Sequence, residues 1–279
     1  MIDSLDGPPG VSALIEDDVI IAGVASAPLV IMRYSARGEL LWRRSDAFAH
    51  PTEEIVVTLD PTIFVTQIAT DSFGRVWALF YDDSVWGFVR LESTGRPVWR
   101  AWAFMTYGSC PYPLPSLIGS SGWVLDSQGR PVLAASALGL LRLESEAEGP
   151  AEERASLSIP LQEEFYSPCD VFGLDTDAQD RVYVATHEGP HSDERLRIDR
   201  ISSDFDTRER YIPDLGDVVL PGQTFRGFQV TPGGDVYVLI QEFEHPAAFA
   251  GTRDELQRIH LARLQLGPPG APSAGAAAR

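Results

Sequence analysis

Short apolar runs, separated by clusters of Gly, Asp, Ser and Pro, return in a fixed order along this 279-residue chain. The clearest unit is an Asp-x-x-Gly turn that opens an apolar run. It reads DSFGRVWALF at 71–80, DSQGRPVLAA at 126–135, DAQDRVYVAT at 177–186 and TPGGDVYVLI at 231–240, with a degenerate first copy, EDDVIIAG, at 16–23. A later run carries an arginine between apolar neighbours: Arg33, Arg90, Arg142, Arg200 and Arg263. Copies one and two superimpose at a constant offset, Met32, Arg33, Tyr34, Gly38 and Trp42 falling on Val89, Arg90, Leu91, Gly95 and Trp99. A repeat of about 54 residues decides the architecture before any single side chain is interpreted.

Each repeat predicts four short strands. In copy two they are FVTQIAT (64–70), RVWALFY (75–81), WGFVRLE (86–92) and RPVWRAWAF (96–104), with turn residues between them. The second strand is apolar on both sides: Val76, Ala78 and Phe80 face one way, Trp77, Leu79 and Tyr81 the other. Such a strand is buried on both faces, and a four-stranded sheet packed on each side is a propeller blade. The expected fold is therefore an all-β, five-bladed β-propeller of four-stranded antiparallel blades, near 11–60, 61–105, 117–162, 168–213 and 224–266. The nearest approach to a helical period, at 251–263, falls in register with a strand. A Pro/Ala-rich tail, 267–279, reads as disordered. The fifth copy ends after its third strand, so the ring closes either with MIDSL (1–5) as the missing strand or with a three-stranded last blade.

The phrases VIIAGVASAPLVIMRYSARGELLW and DSFGRVWALFYDDSVWGFVRLESTGRPVW resemble the blades of bacterial repeat propellers, namely the NHL-like, SBBP-like and delta-60-like repeats. The resemblance covers residues 11–266. It implies a propeller, often in a cell-surface or periplasmic setting, and no particular activity, because this fold hosts both binding and catalysis.

Charge narrows the partners. The chain has 40 acidic against 22 basic residues, a net −18, and every basic residue is arginine. That excludes a nucleic-acid surface, which must be basic, and an anionic membrane. It suits cationic partners or Ca²⁺, with no other cofactor indicated. The first 15 residues show no basic segment followed by an apolar stretch, so no signal peptide is read, and no apolar run reaches spanning length. Cytoplasmic residence and export with a leader outside the sequence both stay open. Cys110 and Cys169 stand in loops ahead of predicted first strands, which leaves a disulfide open.

Chemistry-bearing candidates are few. His187-Glu188-Gly189-Pro190-His191 matches HExxH, but that motif needs a helix to put both imidazoles on one face, and Pro190 and Gly189 oppose one. A loop metal site from His187, His191 and Asp193 is the residual metal candidate, ahead of the zincin reading. The turn aspartates are read as caps of tight turns rather than calcium ligands, with glycine taking positive φ. The recurring arginines are read as blade-to-blade anchors, with Arg90, Arg142 and Arg200 each expected within reach of a carboxylate or backbone carbonyl of their own or an adjacent blade. Trp42, Trp77, Trp99 and Trp123 are expected in the core. Tyr107, Tyr112 and Tyr166, in long proline-rich loops, and Asp170 are the ligand-binding candidates, and Asp60 and Glu164 are further acids at strand-one ends. No catalytic residue is assigned. The expected function is a non-catalytic interaction module binding a protein or polysaccharide through variable loops. The alternative is a propeller hydrolase or lyase with a carboxylate or metal at the central channel.

Overall fold

The structure is a computed structural model. It describes residues 11–15, 18–24, 29–44, 64–82, 85–104, 123–135, 139–144, 149–150, 155–159, 171–188, 195–213, 223–243, 256–264, 266 and 277–278. Regular structure among them is strand throughout, in five small sheets.

The first sheet runs β1 (Val11–Ile15), β2 (Asp18–Val24), β3 (Leu29–Tyr34) and β4 (Leu40–Arg44) in sequence order. The second runs β5 (Phe64–Thr70), β6 (Val76–Asp82), β7 (Val85–Leu91) and β8 (Pro97–Phe104), within a residue or two of the expected strands. The third has β9 (Trp123–Leu125), β10 (Pro131–Ala135) and β11 (Gly139–Leu143), then β13 (Ala155–Ile159). Between them β12 (Gly149–Pro150) leaves the third sheet and pairs parallel to β8, Gly149 opposite Ala101. The second sheet therefore has five strands, not the four expected. The outer edge of β8 offers open amides and carbonyls, and a passing chain can take them.

The fourth sheet is β14 (Val171–Thr176), β15 (Val182–Glu188), β16 (Arg195–Ile201) and β17 (Arg208–Tyr211). The fifth is β18 (Gln223–Val230), β19 (Val236–Phe243), β20 (Leu256–Leu264) and β21 (Ala277–Ala278). The end of the segment expected to be disordered pairs with Ala262 and Arg263, because β20 would otherwise present a bare edge. The outer position of the fifth sheet is thus held by the tail; residues 1–5 lie outside the described residues.

The chain divides into two compact units: Met1–Ser109 with Leu125–Pro131 and Arg142–Ser156, and Cys110–Val124 with Val132–Leu141 and Leu157–Arg279. In the first, Val76, Trp77, Ala78, Val89 and Leu91 are fully buried. In the second, the fourth sheet is buried on both faces, as the doubly apolar second strand predicts. Tyr183, Leu196 and Ile198 pack with Phe228, Val230 and Val238 of the fifth sheet. Val182, Val184 and Ile201 on the opposite face join Val132, Leu140 and Leu174. Each such Leu, Ile or Val contributes about 1.5–3 kcal/mol through burial. Phe205 joins that layer at a cost: it adopts φ 62 in the turn before β17, where Gly38 and Gly95 stand in the first two copies.

Candidate functional site

The recurring turn is where the sequence concentrates charge, and its geometry shows what the charge does. The Asp71 N–H donates to the Arg75 carbonyl (3.1 Å) and the Gly74 N–H to the Asp71 carbonyl (3.0 Å); the turns at Asp126, Asp177 and Thr231 repeat both bonds. The closing residue takes positive φ, as Gly74, Gly129 and Gly234 and, in copy four, Asp180 at φ 55. Asp and Asn tolerate that region better than other side chains.

The aspartate does more than cap. Asp71 Oδ1 accepts the Phe73 and Arg75 amides (2.9 and 3.0 Å), and Oδ2 accepts Arg75 Nε (2.6 Å) and Trp77 Nε1 (3.0 Å). Asp177 repeats this with the Gln179 and Arg181 amides, Arg181 Nε (2.6 Å) and the Tyr183 hydroxyl (2.9 Å). Burial, with the hydrogen bond and charge of Asp177, pushes the Tyr183 phenol up to about 12. In copy three Val132 stands at the aromatic position and has no donor. Arg142 Nε approaches Asp126 Oδ2 instead, at 3.3 Å, as an ion pair whose angle does not make a hydrogen bond. A carboxylate accepts about four hydrogen bonds. Asp71 and Asp177 each accept four, whereas Asp126 accepts three, from the Gln128 and Arg130 amides and Arg130 Nε, beside the Arg142 charge.

The strand-three arginines are also committed, each within reach of a carboxylate as expected. Four of these ion pairs run within a single sheet. Arg33 meets Asp18 (2.7 Å), Arg90 meets Glu92 (2.9 Å), Arg200 Nε meets Glu209 (2.7 Å) and Arg263 meets Asp235 (2.6 Å). Sheet-to-sheet anchoring in the first unit is shared between Arg33 and groups outside the repeat's arginine position. Trp42 Nε1 reaches the Ser93 carbonyl (3.2 Å) and Arg44 Nε the Gly95 carbonyl (2.8 Å), while Arg33 adds a 3.4 Å bond to Ser93. Trp42 is accordingly half-buried against the turn at Gly95, not in the core. Trp77 and Trp123 are fully buried, and the side chain of Trp99 lies outside the described residues.

The fourth sheet departs from its siblings. Asp175, on β14, accepts the Val230 N–H of the fifth sheet through Oδ2 (2.6 Å) and the Thr176 N–H through Oδ1 (2.8 Å). Burial raises its pKa, against the two amide bonds, which lower it. On the face of β16 opposite Arg200, Arg197 and Asp199 are buried and joined, Arg197 Nε and Nη2 each 2.9 Å from Asp199 Oδ2. Sequence reading missed both. Aligning copies on the strand-three arginine exposes them: Asp199 falls where Met32, Val89, Leu141 and Ala262 stand.

The predicted site residues largely fall elsewhere. Tyr107, Tyr112, Tyr166, Asp170, His191 and Asp193, and also Asp60, Glu164, Cys110 and Cys169, lie outside the described residues. His187 and Glu188 end β15, opposite Leu196 and Arg195, so the first half of HExxH is strand rather than hairpin loop. Successive strand residues point to opposite faces, which is not the helical arrangement a zincin requires. Among the described residues no three His, Cys, Asp or Glu side chains gather as a metal site.

No protein-family model matches the chain, the NHL-like and SBBP-like repeats included, and no curated protein matches it. Among solved structures, a GH43 protein from Bacillus licheniformis is similar over 95% of this chain and 57% of that one, at 12% identity and TM-score 0.43. Puromycin hydrolase is similar over 92% and 44%, at 14% identity and TM-score 0.43. A xylan beta-1,4-xylosidase from Bacillus halodurans C-125 is similar over 94% and 55%, at 12% identity and TM-score 0.41. The chain spans about half the length of each of these three.

Proposed function

We propose that the chain is a five-bladed β-propeller acting as a non-catalytic interaction module, which holds a protein or polysaccharide through the loops where its copies differ. One observation carries this reading: the acids and bases supplied once per repeat close on each other inside the sheets, as Asp71 with Arg75 and Asp177 with Arg181. The repeat is thus scaffold, and recognition falls to the segments 105–118, 161–170, 187–195 and 242–256, with Tyr107, Tyr112, Tyr166 and Asp170 as contacts. A net charge of −18 turns the module away from nucleic acid.

The second reading is a hydrolase or lyase with a carboxylate at the central channel, the class to which the glycoside hydrolases named above belong. Asp175 favours it: a propeller puts the first strand of a blade innermost, and this carboxyl has a raised pKa, as acid catalysts do. Its two oxygens are, however, held by backbone amides. Both readings meet in one experiment, which titrates xylo-oligosaccharides and a wider glycan panel and follows reducing-end release. Saturable binding without turnover, lost in Tyr107→Ala and Tyr112→Ala, supports the module. Turnover lost in Asp175→Asn supports the enzyme.

A further inference from the structure

We propose that the free face of the fifth sheet is a self-association surface, where Ile259 and Leu261 meet the same residues of a second copy of this chain. The proposal does not rest on the loop-borne reading above.

The first observation is what the face exposes. Ile259 and Leu261 on β20 are 57% and 55% accessible. They point to the same side as Arg263, because alternate residues of a strand share a face. On β19, half-buried Leu239 stands opposite Leu261 and half-buried Tyr237 opposite Arg263. The other side of these two strands is closed: Val236, Val238, Ile240, Ala262 and Leu264 pack onto the fourth sheet. The fifth sheet therefore has one apolar face covered and one in water, whereas the fourth is covered on both.

The second observation comes from aligning the copies. Counting back from the strand-three arginine, Ile259 and Leu261 occupy the positions of Leu196 and Ile198 in copy four. Those two are buried beneath the fifth sheet. At the second position, Leu140 of copy three is buried among fourth-sheet residues. Ile31 of copy one is buried on the side from which Arg33 reaches Ser93 of the second sheet. These positions are where one sheet of the chain receives the next, and the fifth sheet carries them in the open. A terminal unit of a stacked repeat needs a polar outer face unless something covers it.

The third observation selects the occupant. The face continues, one repeat further, the interface that joins the fourth sheet to the fifth, so a sheet of the same repeat is the shape that fits it. In a second copy, the side of the first sheet opposite Arg33 is already buried at Val30, Met32 and Tyr34. The free face is left to meet its own counterpart, and contact between identical surfaces closes as a two-fold dimer. Charge agrees. Arg263 is neutralised by Asp235 at 2.6 Å, so the described side chains of this face carry no net charge, in a chain of net −18 whose copies repel one another elsewhere. One sheet face is at the small end of specific interfaces, so the dimer is a reversible one.

The test follows the full chain by sedimentation velocity and light scattering across the micromolar range, at low and high sodium chloride. A monomer–dimer equilibrium is expected, tightening as salt screens the acidic surfaces. Leu261→Glu should weaken the dimer about a hundredfold or more, because a two-fold interface loses the leucine twice and gains two facing charges. Phe73→Glu is the control: it makes the same charge change at an apolar residue 66% accessible in the turn of the second sheet, and should leave the equilibrium unchanged. Dilute Leu261→Glu should melt where the dilute parent melts. A parent chain that stays monomeric would overturn the proposal, as would a dimer that Leu261→Glu leaves intact, equal losses in the two variants, or assemblies that grow beyond two copies. A lowered melting temperature in dilute Leu261→Glu would also overturn it, by showing that the fold of the single chain already uses this face.

Discussion

The fourth and fifth sheets fold the same turn with different chemistry. Both close it with an amide onto the carbonyl three residues back, and both bring the first residue's side chain onto the amide four residues on. In the fourth the acceptor is Asp177, which also binds Arg181 and the Tyr183 hydroxyl. In the fifth it is Thr231, whose hydroxyl holds the Asp235 amide at 3.0 Å. The charge has moved: the position of Arg181 is now Asp235, and it pairs with Arg263 on strand three. The first sheet, lacking a turn aspartate, makes the same exchange with Asp18 and Arg33. The backbone turn is therefore the constant: in the fourth sheet its carboxylate pairs with the arginine four residues on, and in the first and fifth an acid at that later position pairs with the strand-three arginine.

The largest expected effect tests that division. Asp177→Ala leaves Arg181, Tyr183 and two amides without their acceptor and should cost about 3–5 kcal/mol, the usual result of breaking a buried pair from one side. Thr231→Ala removes one neutral bond and should cost about 1 kcal/mol. Denaturant unfolding of the two variants checks the contrast; equal losses would mean that the carboxylate adds nothing to the turn.

Next comes the contact that brings these two sheets together. Gly173 on β14 has an ordinary φ, but a Cβ there would stand 2.3 Å from the Phe228 Cβ on β18. Gly173→Ala should overpack the sheet interface by about 1–3 kcal/mol. Gly38 has the opposite problem, φ 78 with nothing within 4 Å. Gly38→Ala should then cost only the left-handed backbone, about 1–2 kcal/mol, and Gly38→Asn less. An Asn that rescued Gly173 as well would show that backbone conformation, not space, limits both sites.

How much of this was legible depends on period. The strands of copy two, the turn glycines and the strand-three arginines repeat, so the pattern finds them. The arginine after each turn (Arg75, Arg130, Arg181) also repeats, yet its partner is set by a bend that folds residue four back onto residue one, which spacing alone does not weigh. Asp199 and Arg197 were hidden for the converse reason: they break the pattern at positions that look like ordinary polar alternation until the copies are aligned. The β12 and β21 pairings are edge events decided by which backbone lies nearby, and no side chain in Gly149–Pro150 or Ala277–Ala278 announces them.

The strand-three ion pairs give a smaller effect. Arg200 with Glu209 is partly sheltered and also lies 5.2 Å over the Tyr211 ring, whereas Arg263 with Asp235 is half-exposed. Arg200→Ala should lower stability by about 1.5 kcal/mol. Arg263→Ala should leave the melting temperature unchanged at 0.15 M salt, where exposed pairs are screened. A matched loss in both would erase the difference between the sheets at this position.

The smallest effect is a slope. Asp175 is the fourth sheet's tie to the fifth through the Val230 amide, and burial raises its pKa above 3.8. The folded chain then binds this proton more tightly than the unfolded one. Between 3.8 and the raised value the native state carries more protons, so stability falls as pH rises through that window and levels off above it. Asp175→Asn keeps an oxygen for the Val230 amide and removes the titration. The difference in unfolding free energy between parent and variant cancels the other carboxylates, and it should shift in the variant's favour as pH rises from about 3.5 to neutrality. A difference that is flat with pH, or that moves the other way, would mean that the amide bonds outweigh burial and that the tie is strongest when ionised.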